Sequence, residues 1–135
     1  MQVTRFTDLG LRILMLLAAG EFAGQRVTAR TVAAGANASE HHVAKAVSRL
    51  ADLGMVHARR GRVGGVTLTE AGRRAPIGWL VRHLDNDREV VDCDDAGPCP
   101  LVPGCRLRAA LTAAKEAFYR ELDNYTVLDL VSATE

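Results

Sequence analysis

TARTVAAGANASEHHVAKAVSRLADLG, running from Thr28 to Gly54, is the stretch on which the fold turns. Thr28 precedes a short alanine-rich segment, Ala29 to Ala34, and Gly35 to Ala38 then supplies a turn. Ser39 is a strong N-cap, so a longer helix is expected over 39–53, with Val43, Val47, Leu50 and Ala51 sharing one face. Glu40, His41, Lys45, Ser48 and Arg49 point elsewhere, and Gly54 suits the left-handed position just past the end. Short helix, turn, longer helix is a helix-turn-helix pattern.

On its C-terminal side, Met55 to Arg60 and Val66 to Leu68 read as short strands around the tip Gly61-Arg62-Val63-Gly64-Gly65, which makes a wing. On its N-terminal side, Thr7 or Asp8 caps a first helix in which Leu9, Ile13, Leu16 and Leu17 recur at helical spacing until Gly20. Pro76 opens another helix, with Ile77, Leu80, Val81 and Leu84 as its apolar face. Periodicity then lapses from Asp85 to Gly104. It returns as Leu107, Leu111, Ala114, Phe118, Leu122 and Tyr125, stepping by three or four along one long helix. Such a helix at the end of a small domain commonly packs against another chain. A last short helix, Val127 to Val131, follows a Thr126 cap.

The expected fold class is therefore mainly α with a small β-hairpin. A winged helix-turn-helix occupies 1–75, a linker helix with a cysteine loop 76–105, and a dimerisation helix with a C-terminal helix 106–135.

The 135 residues suit one domain, and 48% hydrophobic with 24% charged side chains excludes both disorder and a membrane protein by composition. The longest apolar run, Ile13 to Ala19, is far short of a spanning helix, and the start does not read as a signal peptide. A cytoplasmic location is expected. With only 4% aromatics, the core must be built from Leu, Val and Ala, which favours helices. The net charge of +1 hides a division: residues 1–75 carry 11 basic against 5 acidic side chains, and 76–135 carry 6 against 11. That asymmetry points to a polyanion-facing half and a half with another task.

The basic half reads as a DNA binder. Helix 39–53 can enter a major groove about 12 Å wide with its first residues at base edges, which selects Ser39, Glu40, His41, His42 and Lys45, with Arg49 placed for phosphate. Arg59, Arg60 and Arg62 on a thin glycine-rich hairpin suit a narrow minor groove or the flanking phosphates.

Cys93, Cys99 and Cys105 stand in a C-x5-C-x5-C spacing, interrupted by Gly97-Pro98 and Pro103-Gly104, two turn pairs that can fold the loop back. An odd cysteine count in a reducing compartment argues against a disulfide framework. Three separate free thiols are the plainer alternative, but the segment has few apolar residues with which to bury them. Zinc with three thiolates and one other ligand is possible, though zinc pairs commonly lie closer in sequence. The wider spacing suits an iron-sulfur cluster, with one ligand still to be found. A thiol oxidoreductase lacks its C-x-x-C pair and any cofactor fingerprint, so enzyme activity is not expected.

These residues resemble a known family. Residues 1–12 (MQVTRFTDLGLR), the wing 60–66 (RGRVGGV) and the stretch from Cys105-Arg106-Leu107 to Leu122-Asp123-Asn124-Tyr125-Thr126 are similar to the Rrf-type winged-helix iron-sulfur transcriptional regulators, and within them to the nitric-oxide-sensing repressors. The similarity runs nearly end to end. It implies a homodimer that binds palindromic double-stranded operator DNA, with nitric oxide as the signal and a cluster, 4Fe-4S rather than the alternative 2Fe-2S of a redox sensor. Regulators of cluster assembly in the same superfamily place a histidine ligand three residues after the third cysteine. Here that residue is Arg108, a cation that cannot ligate iron.

Asp92, Asp94 and Asp95 adjoin Cys93 and would have to bend back sharply. Asp8 fits the resemblance best as fourth ligand, supplied by the same or the partner chain, with an N-cap role as the alternative and His41, His42 and His83 behind it. In that reading Asp8 ties an ordered loop to the first helix, the two recognition helices keep the operator's spacing, and nitric oxide undoes the tie.

Overall fold

The computed structural model describes residues 2–20, 22, 25–61, 64–93, 97, 99–101 and 104–132. Seven helices and one hairpin are present among them: α1 (Arg5–Ala18), α2 (Ala29–Ala36), α3 (Glu40–Asp52), β1 (Val56–Arg59), β2 (Gly65–Leu68), α4 (Glu70–Arg74), α5 (Ile77–Leu84), α6 (Arg106–Leu122) and α7 (Val127–Val131). None of these helices is long and apolar enough to cross a membrane. The mainly α winged-helix class is borne out.

Capping explains most boundaries. The Ser39 side chain accepts from the His42 N–H, Thr28 from Thr31, and Thr126 closes a capping box with Asp129 at the start of α7. Gly54 takes φ +79, as the end of α3 requires. Four expectations need correction. Helix α1 begins a turn earlier than Thr7 or Asp8, because Thr4 is its N-cap and accepts from Thr7 N at 3.1 Å. Thr7 is instead fully buried, its hydroxyl donating to Asp85. Helix α2 runs past Ala34 to Ala36, since Asn37 at φ 52 provides the left-handed cap.

The third correction concerns α6. It stops at Leu122, and Tyr125 lies beyond it, where its carbonyl accepts from Ile77 N at 2.9 Å. That bond and a bridge between Pro76 and Thr126 dock α7 beside the start of α5. The fourth is an addition: Thr69 caps the five-residue α4, a helix too short to leave a periodic signal.

The core is one cluster with α1 at its centre. Ile13 and Leu14 are fully buried against Val32 of α2, Val43 and Leu50 of α3, Leu80 and Val81 of α5 and Val127 of α7. Each such side chain contributes roughly 1.5–3 kcal/mol by leaving water. In the wing, Val56 pairs with Leu68 and Arg59 with Gly65, and Val56 and Val66 turn inward. Helix α6 packs against α5, its buried residues being Lys115 and Tyr119, while Phe118 and Leu122 from the end of its apolar stripe also lie against the core. Leu107 remains 64% exposed and Ala114 is exposed, while Leu111 and Phe118 are half-buried. An apolar helix face left uncovered in one chain is what a second chain would bury.

Candidate functional site

The alternation of buried and exposed positions on α3 produces an exposed polar face. Val43, Ala46, Val47 and Leu50 fasten the helix to the body, so Glu40, His41, His42, Lys45 and Ser48 are left exposed, with Ser39 exposed at the cap. Arg30 of α2 lies 3.9 Å from Glu40, both in solvent, a pair too screened to fix either side chain. Arg49 is placed differently from its neighbours. Its guanidinium is half-buried and donates to the His83 carbonyl at 3.3 Å, which ties the last turn of α3 to the end of α5.

Arg59 and Arg60 are exposed at the end of β1, next to the tip. Arg62 lies outside the described residues. Sequence reasoning passed over Arg26, which belongs to no periodic element. Its Nε donates to the Gly64 carbonyl at 2.6 Å, and its Nη2 donates to the Gly61 carbonyl.

The three cysteines are free and half-buried. Cys99 N donates to the Cys93 carbonyl at 3.2 Å, and Cys105 is the N-cap residue of α6, with no side-chain cap bond. Gly97 and Gly104 take φ +98 and +85, conformations that favour glycine, while Pro98 and Pro103 of the expected turn pairs lie outside the described residues. Among the described residues, no three of His, Cys, Asp and Glu stand together as a ready-made metal group in the single chain. The donor set itself fits iron: three thiols, none held in a disulfide, on a segment rooted at both ends in helices.

Cys93 opens on a cavity of about 640 Å³ shared with Arg108, Lys115, Phe118 and Tyr119. Asp8 lies elsewhere. It is exposed on the first turn of α1, paired with Arg12 at 3.1 Å through both carboxylate oxygens, and lines a separate cavity with Ser39 and His42. The N-cap alternative for Asp8 is overturned, since Thr4 holds that position. His83 is engaged too, its Nδ1 at 2.8 Å from the Trp79 carbonyl and its ring 4.1 Å from the indole. Asp94 and Asp95 lie outside the described residues.

A charge cluster fixes the root of the cysteine segment. Asn86 and Asp87 both adopt positive φ, and this turn brings Asp87 to Lys115 Nζ at 3.2 Å and Arg82 at 3.2 Å. Arg82 also pairs with Glu116 at 2.5 Å and lies 4.2 Å from the Tyr119 ring centroid. The hydrogen bond from Arg82 holds the Glu116 carboxyl below its ordinary range. Burial works to raise Asp87, but Lys115 and then Arg82 outweigh it, so Asp87 is lowered as well. Both carboxyls are therefore ionised at neutral pH. The stabilisation they give is present above the ordinary carboxylate range and is lost as pH falls through the lowered folded values.

Comparison with known proteins adds the following. The family model Rrf2, described as an iron-dependent transcriptional regulator, matches residues 3–133. The HTH-type transcriptional repressor NsrR of Streptomyces coelicolor is 53% identical over 133 residues, 98% of this chain and 90% of that protein. The HTH-type transcriptional regulator NsrR of Geobacillus kaustophilus is 40% identical, over 97% of this chain and 90% of that one. In fold, the solved structure of CymR (YrzC), the global cysteine regulator of B. subtilis, is similar at a TM-score of 0.72 and 26% identity, covering 100% of this chain and 99% of the other.

Proposed function

The chain belongs to the Rrf2 family of iron-dependent transcriptional regulators, and from that premise we propose that it is a homodimeric repressor that holds an iron-sulfur cluster, 4Fe-4S in type, and gives up its operator in response to nitric oxide. The observation that carries this reading is the union, in one core, of an exposed α3 and wing with a three-thiol segment rooted on the helices behind them.

Cys93, Cys99 and Cys105 would hold the cluster, and the partner subunit's Asp8 would complete it with an oxygen donor. When bound, the cluster supplies iron open to attack by nitric oxide at its most exchangeable, oxygen-ligated corner. The chain's own residues do the rest. Helix α3 presents Ser39, Glu40, His41, His42 and Lys45 to base edges, while Arg59, Arg60 and Arg62 engage the backbone or minor groove. The exposed stripe of α6 joins two copies, which sets the recognition helices about one or two turns apart, near 34 Å per turn.

Asp8 shares its cavity with Ser39 and His42, so an anchor at Asp8 acts on the first turn of α3. The cysteine segment meets α3 from the other end, through α5 and the Arg49 bond to the His83 carbonyl. Ordering or releasing one segment therefore bears on both ends of the reader. Moving the operator from mostly bound to mostly free requires a few kcal/mol of differential stability, about what ordering a short segment and one ligand bond supply.

Anaerobic purification followed by iron, sulfide and zinc analysis tests the reading. Iron and sulfide equivalent to one 4Fe-4S cluster per chain are expected. Half that content would favour the 2Fe-2S redox sensor, and a colourless zinc protein would replace the proposal with a DNA-binding protein stabilised by structural zinc.

A further inference from the structure

A hairpin of two four-residue strands has little stability of its own, so something outside it must hold its tip. The segment preceding α2 does this. Val66 N donates to the Val27 carbonyl at 2.8 Å, which lays residues 25–27 along the outer side of β2. From there the Arg26 guanidinium reaches both ends of the tip, donating to the carbonyls of Gly61 and Gly64. Those two residues are themselves joined, Gly64 N donating to the Gly61 carbonyl at 2.9 Å.

The approach is as close as backbone permits. A Cβ at Gly64 would collide with the Arg59 carbonyl, and one at Gly65 would stand 3.0 Å from the Val27 carbonyl.

We infer that Arg26 is a positioning residue for DNA binding: by bridging the Gly61 and Gly64 carbonyls it fixes the angle of the wing and so presents Arg59 and Arg60 to the duplex. The inference rests on the reading of the chain as an operator-binding repressor. Its chemistry is that of a planar fork, which can donate to two acceptors at fixed geometry. A lysine ammonium keeps the charge but has neither the fork nor its preorganised directions. Arg26→Lys therefore separates positioning from charge.

The test uses the full-length, cluster-loaded protein and a labelled duplex selected by the wild type from a random-sequence pool. Binding is followed across a range of salt for the wild type, R26K, R60A and the double variant. R60A should weaken binding and make the log-log salt slope shallower by roughly 0.9, the mark of one lost phosphate contact. R26K should weaken binding roughly tenfold and make the slope shallower too, because a displaced wing takes Arg59 and Arg60 off their phosphates although the charge at position 26 is kept. The double variant should lose less than the sum of the two single losses, because an unanchored wing without Arg60 has fewer contacts left to misplace.

In the free protein, the Gly64 amide of R26K should exchange faster, a local readout taken on folded material. Wild-type affinity in R26K would overturn the inference. So would weaker binding with the slope unchanged, the mark of a direct phosphate contact that lysine keeps, or full additivity in the double variant. An R60A protein with wild-type affinity and slope would instead remove Arg60 from the interface, and with it the inference that Arg26 presents it to the duplex. That failure is recognised by the R60A arm alone.

Discussion

Cys105→Ser is expected to empty the chain of iron and sulfide and to lower operator affinity at least tenfold, without lowering the stability of the helical body. The reason lies in where Cys105 sits. It is the N-cap of α6 and makes no side-chain bond to the orphan N–H groups there. Serine is one of the best residues for that position, and its hydroxyl can accept from the first turn, a gain of about 1 kcal/mol. The substitution thus removes a thiolate donor while leaving or improving the helix. Iron analysis, thermal unfolding and operator titration on the same preparation separate the two effects. A serine variant that keeps its iron and its operator affinity would take Cys105 out of the ligand set.

Gly78→Val is expected to act in the opposite manner, on the body first. Helices α5 and α6 approach so closely at Gly78 that an added Cβ would run into the Tyr119 carbonyl and the Asp123 carboxylate. That same carboxylate accepts from Trp79 N at 2.9 Å, and so caps α5 from the end of α6. A branched side chain there must push α6 away, at about 3 kcal/mol for overpacking, and break the cap as well. The urea midpoint should fall accordingly, and operator affinity with it, since α6 and the root of the cysteine segment move together. An unchanged midpoint would show that the two backbones are not in contact at this point.

What could be read from the sequence depended on whether a signal was local. The helix-turn-helix and wing were legible because Ser39, Gly54 and the glycines of the tip mark their boundaries within a few residues. The start of α1 was not, because Thr4, Thr7 and Asp8 are all competent caps. The choice is settled by Asp85, distant in sequence, which takes the Thr7 hydroxyl into the core. Tyr125 continued the spacing of the α6 stripe by coincidence, and its contact with Ile77 is a long-range one.

The polar face of α6 was equally hidden. Lys115 is buried because a left-handed turn at Asn86 and Asp87 delivers a carboxylate to it, and no helical periodicity records that. The thiol spacing was plain, yet spacing alone names no fourth ligand. Asp8 stands beside α3 and lines a different cavity from Cys93, so the proposal that it completes the cluster requires another copy to bring it to the cysteines. Arg49 and Arg26 show the same limit from the basic side. Arg49 read as a phosphate contact and Arg26 was passed over, and both are hydrogen-bonded to backbone carbonyls that the sequence does not place near them.

The most direct test of the account is a nitric oxide titration of the anaerobically prepared protein on its selected duplex, with bound DNA and the iron chromophore recorded in the same sample. Release of the duplex in step with the change in the chromophore is the predicted result. Full retention of the duplex after the chromophore has been destroyed would contradict the account.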